Sequence, residues 1–141
     1  MKSIGYAFSL WLGLFFLAPL ARADVYVVTS ASNNQKVTLE QVKDIYTLTT
    51  SKWPDGKVVV YSLPEFDSLE GAMMLEKVYG YSKDKVKKLW LGKVFRGDVP
   101  AMPETKSGAA VKEFLAAHPN GIGILQGSDA DSKVTRLLKL D

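Results

Sequence analysis

Apolar and polar positions change period several times along the chain, and each change marks an element. Val25-Tyr26-Val27-Val28 is a short β-branched run opening into the polar stretch Thr29 to Gln35, the pattern of a buried strand followed by a loop. Leu39, Val42, Ile45 and Tyr46 then recur at helical spacing, and Thr38 with Gln41 three residues on predicts a capping box at the start of that helix. Trp53-Pro54-Asp55-Gly56 predicts a turn, after which Lys57 to Leu63 reads as a second strand.

From Ser68 to Tyr79 the positions Leu69, Ala72, Met73, Leu75, Val78 and Tyr79 return to helical spacing, and Gly80 suits a left-handed C-terminal cap. Ser82 opens another helix with Val86, Leu89, Trp90 and Val94 on its apolar face, ending at Arg96-Gly97. Ser107 opens a third, with Val111, Phe114 and Leu115 inward and His118-Pro119-Asn120-Gly121 as its stop. Ile122 to Leu125 and Val134 to Leu140 read as two further strands. The order β-α-β-α-α-α-β-β predicts an α/β domain with a mixed sheet flanked by helices.

The first residues follow a different logic. Lys2 precedes an uncharged apolar run from Ile4 to Leu20, and Ala21-Arg22-Ala23 places small residues where a signal peptidase cuts, so residues 1–23 read as a signal peptide and residues 24–141 as one domain. The alternative is an uncleaved anchor, since 17 apolar residues lie at the short edge for spanning a bilayer. Export with zero cysteines means a core without disulfides and no lipidated cysteine, which fits a bacterial periplasm. Cleavage leaves 118 of 141 residues, room for one core. It also leaves 16 basic against 15 acidic residues, so the charge balance implies no nucleic-acid partner.

Catalytic chemistry finds few residues to use. One histidine, His118, and no cysteine exclude a nitrogen–sulfur metal cluster, and no nucleophile elbow, phosphate-cradling glycine loop or paired acid–base constellation occurs. Asp129 and Asp131 in GSDADS lack the spacing of a calcium loop. A non-enzyme without cofactor or metal is expected. Lys83, Lys85, Lys87, Lys88, Lys93 and Arg96 make the helix after Ser82 basic, a solvated face or a dock for an acidic partner or anionic headgroups. Trp53, Trp90, Phe95 and Phe114 read as core.

Three stretches, VTLEQVKDIYTLTTSKWPDGKVVV, LPEFDSLEGAMMLEKVYGYSKDKVKKLWLGKVFRGD and FLAAHPNGIGIL, together resemble the phosphate-type substrate-binding proteins of ABC transporters, of the type II periplasmic-binding-protein fold. The resemblance covers nearly all of residues 24–141 but only one of the two lobes that clasp the ligand in that family. It implies a single-lobe periplasmic-binding-protein-like domain, with an oxyanion held by hydroxyls and helix N–H groups. Ser68 matches the family's serine. Leu69 and Glu70 stand where glycine and threonine are expected, and the family's arginine has no counterpart between Gly56 and Lys93.

Read from the residues alone, Asp67 as N-cap with Glu70 at the third helical position would form an acidic capping box occupying the N–H groups an anion would use. A helix N-terminus favours a surface anion by about 0.3–1 kcal/mol, whereas a like charge at ~4 Å opposes it by about 4 kcal/mol at intermediate dielectric. Tight phosphate binding is therefore expected to be absent. The candidate ligand residues are Ser68, Leu69 and Asp67, with Thr29, Ser30 and Ser32 after the first strand, beyond the carboxyl ends of strands where open α/β sheets bind ligands. Two uses follow: weak capture of a small solute or oxyanion, or an interaction or sensory accessory module without a ligand, facing a transporter, porin or sensor in the envelope.

Overall fold

The computed structural model describes residues 23–141, so the predicted signal peptide, except for Ala23, lies outside the described residues. A four-stranded sheet runs in the order β2-β5-β1-β6, built from β1 (Val25–Ser30), β2 (Val60–Tyr61), β5 (Gly121–Gln126) and β6 (Val134–Leu140). A second, two-stranded sheet joins β3 (Leu63–Pro64) to β4 (Glu104–Thr105). The helices are α1 (Leu39–Tyr46), α2 (Leu69–Met73) with a π-helical continuation Met74–Tyr79, α3 (Lys83–Phe95) and α4 (Gly108–Ala117).

Strand alternation distributes the core over both faces of the large sheet. Val25 and Val27 of β1 and Ile122 and Ile124 of β5 join Val42, Ile45 and Tyr46 of α1, Met74 and Val78 after α2, and Val86 and Trp90 of α3 in one cluster. Val28, Leu125 and Val134 turn the other way, against Val111 and Leu115 of α4. At Gly123 a Cβ would meet Val111 Cγ1 at 2.7 Å, so glycine lets α4 lie close on β5. Both clusters are built from residues 25–140, so a chain starting at Asp24 carries this whole core.

Within the larger cluster Trp90 Nε1 donates to the Tyr79 hydroxyl (3.0 Å), which donates to the Tyr46 carbonyl (2.9 Å), and the Tyr46 hydroxyl donates to the Ser62 carbonyl (3.2 Å). Burial pushes the Tyr61 phenol up to about 12 and raises Tyr46 and Tyr79 as well, so these hydroxyls stay neutral and serve packing.

Four differences from the sequence reading have physical causes. The single strand expected over Lys57 to Leu63 is broken: Trp53 N donates to the Lys57 carbonyl across the turn, β2 pairs in parallel with β5, and β3 leaves to pair with β4. β4 itself was not expected, because two residues bounded by Met102-Pro103 show no alternation. Phe95 is not core; it is 83% exposed at the end of α3. The π-helical turns after α2 have no sequence signature, although Gly80 closes them in the expected left-handed conformation (φ 64°). Among the described residues no helix is long and apolar enough to cross a membrane.

Candidate functional site

β2 runs parallel to β5, so the chain leaving β3 and the residues leading into α4 meet near the carboxyl end of β5. There a cleft of about 50 Å³ is lined by Glu65, Ser68, Glu70, Thr105, Lys106 and Ser107, among others. It brings together the N-caps of two helices. Ser68 Oγ accepts from Gly71 N (3.0 Å) and donates to the Glu65 carbonyl (2.6 Å). Ser107 Oγ accepts from Ala110 N (3.0 Å) at the start of the ten-residue α4. Thr105 Oγ1 donates to the Leu63 carbonyl (3.2 Å), tying the two strand ends together.

Gly71 makes this geometry possible. A Cβ there would collide with the Glu65 carbonyl oxygen and Phe66 Cα, so the loop wraps onto the first turn of α2 only because residue 71 has no side chain.

The acidic capping box expected at this mouth does not form. The N-cap is Ser68 rather than Asp67, which moves Glu70 to the second helical position. Glu70 Oε1 instead accepts from Gln126 Nε2 (2.9 Å) on β5, and Asp67 Oδ1 faces Lys83 Nζ at 3.1 Å on the surface. Each carboxylate has found a cation or amide donor away from the helix N–H groups. Glu65 and Glu70 nonetheless line the cleft, against a single lysine, Lys106. Its volume is small beside the ~300–1,000 Å³ of enclosed ligand pockets.

The remaining expected residues go elsewhere. Leu69, 44% exposed, borders a separate groove of about 770 Å³ with Met73 and Leu140. Thr29, Ser30 and Ser32 lie at the opposite end of the sheet from Ser68. β1 is antiparallel to β5, with Thr29 beside Ile122, so its carboxyl end meets the amino end of β5. There Thr29 Oγ1 donates to the Gly121 carbonyl (2.6 Å) and accepts from Asn33 Nδ2 (3.0 Å), fully buried, while the Ser30 and Ser32 hydroxyls bond each other at 2.9 Å. The rule that ligands gather beyond strand carboxyl ends presumes parallel strands, and this sheet is mixed.

The sequence reading did not select Thr105, Lys106 and Ser107 as site residues. Ser107 announces a helix start, but only the β3–β4 pairing shows that this start meets that of α2. A second cavity beside the cleft, about 250 Å³, is lined by three carboxylates, Glu65, Asp67 and Glu104, against two lysines, Lys83 and Lys87, a balance that does not favour an anion. Among the described residues no group of three possible metal ligands occurs.

Three solved structures are similar to this architecture. A chain described as a phosphate ABC transporter substrate-binding protein with bound phosphate, from Clostridium perfringens, matches with a TM-score of 0.65 and 21% identity, over 82% of this chain and 44% of that one. An ABC-type phosphate transport receptor from Vibrio cholerae matches with a TM-score of 0.58 and 14% identity, and PstS from Borrelia burgdorferi with 0.61 and 12%. Each of these two is covered over 46% of its length and covers 82% of this chain. No protein-family model and no curated protein matches the sequence. The likeness shows the fold, a mixed α/β lobe of the periplasmic-binding-protein type, and the chain spans under half the length of these neighbours.

Proposed function

We propose that this protein is an exported, non-catalytic, single-lobe module related to phosphate-type substrate-binding proteins, which takes a small oxyanion weakly in the open cleft between α2 and α4. The observation that carries the reading is the convergence of Ser68 and Ser107, each capping a helix, on one cleft that also holds Lys106. The N–H groups of α4's first turn and the lysine ammonium favour an anion, and Glu65 and Glu70 oppose it. One lobe offers one wall, so the anion keeps much of its water and the affinity stays low.

The signal-peptide pattern before Asp24 supports a working form in the periplasm. A second reading, an interaction or sensory accessory module without a ligand, is favoured by the small cleft. An NMR titration with phosphate and sulfate separates the two. Progressive shifts of the Lys106, Ser107 and Gly108 amides at millimolar anion support the weak binder; amides that stay still up to tens of millimolar refute it and leave the interaction module.

A further inference from the structure

Charge is unevenly placed on this molecule. Between Lys83 and Arg96 six cations stand against one acid, Asp84, a net +5; the whole chain is +3, so everything else carries −2. The same helix exposes apolar side chains. Phe95 is 83% and Leu91 55% exposed, while Val86 and Trp90 on the other side are buried in the core. At ~100° per residue, Lys85, Lys88, Leu91, Gly92, Phe95 and Arg96 fall within an arc of about 140° facing solvent, together with the exposed Asp84, so the face itself carries three cations against one acid. Tyr81, 42% exposed, lies just before the helix with Lys85 Nζ 3.9 Å above its ring.

Among the described residues Lys85 and Lys88 form no ion pair, and Arg96 pairs only with Asp98 at 3.4 Å. An outer face that is both cationic and apolar is not what solvation alone requires, since a solvent-facing helix surface is ordinarily polar.

We propose that the outer face of α3 docks the protein on a bilayer surface rich in anionic phospholipid headgroups. α3 lies in the plane of the interface, Phe95 and Leu91 enter the boundary between headgroups and acyl chains, and the ammonium groups of Lys85 and Lys88 reach phosphate at the level of the headgroups. Charge complementarity selects the anionic surface. The shape suits a broad surface: neither Phe95 nor Leu91 lines any of the cavities described above, and both stand out from the ridge of the helix.

The test is co-sedimentation of the chain starting at Asp24 with vesicles of equimolar phosphatidylglycerol and phosphatidylcholine, and of phosphatidylcholine alone. Binding is expected to the anionic vesicles only, and to fall about tenfold between ~50 and ~300 mM salt. Phe95→Asp, at an exposed position, is expected to lower partition about tenfold with unchanged melting temperature. Lys85→Gln with Lys88→Gln is expected to lower it by a similar factor. No binding at low salt, parental binding by the Phe95→Asp protein, or salt-sensitive capture of an acidic protein with vesicles ignored would each overturn the assignment.

Discussion

The two ends of the large sheet carry similar side chains and have opposite character. At one end Thr29, Ser30, Ser32 and Asn33 form a network in which the Thr29 hydroxyl both donates and accepts within the protein, with Thr29 and Asn33 buried. At the other, Ser68, Thr105 and Ser107 surround a cleft where the hydroxyls brace the backbone and Lys106 forms no ion pair among the described residues. Counting hydroxyls does not distinguish them. What distinguishes them is whether polar capacity remains around the hydroxyls after folding: the Thr29 hydroxyl is engaged inside the protein, whereas the α2–α4 cleft is open and has the exposed Lys106 on its wall.

Substitutions sharpen that contrast. The largest effect is expected at Gly71, where alanine drives a methyl group into the Glu65 carbonyl; Gly71→Ala should destabilise by about 3 kcal/mol and lower the melting temperature by on the order of 10 °C. Thr29→Val comes next. It strips the buried Gly121 carbonyl and Asn33 amide of their partner and should cost about 2 kcal/mol in chemical denaturation, without changing anion affinity. Ser68→Ala removes a cap and should cost about 1 kcal/mol; a loss of anion shifts at Lys106 alongside it would show that the hydroxyl also serves the ligand. The smallest free-energy change is expected from Glu65→Gln with Glu70→Gln, which relieves like-charge opposition at the half-buried rim and should tighten phosphate binding by about threefold to fivefold in a titration. An unchanged affinity would mean these carboxylates do not face the anion.

Much of the fold is visible in the chain itself. Thr38 and Gln41 form the capping box their spacing announces, with Gln41 N donating to Thr38 Oγ1 and Thr38 N to Gln41 Oε1. Ser82 and Ser107 cap the helices they precede. These are local signals, complete within four residues. The site is not local. Its composition depends on β1 being antiparallel to β5 and on two residues of β3 pairing with two of β4, and neither leaves a periodic trace. The N-cap is Ser68 rather than Asp67, and its hydroxyl accepts from Gly71 N, at a residue where the loop carrying Glu65 lies too close for a side chain. Phe95 followed the apolar spacing of α3 into a predicted core, yet periodicity cannot tell a buried stripe from an apolar ridge left in solvent.

The central claim is that one lobe with a shallow, partly acidic cleft holds an oxyanion only loosely. Calorimetric titration of phosphate into the chain starting at Asp24 tests it most directly. A dissociation constant of about 1 mM or weaker is the predicted result, and micromolar affinity would contradict it.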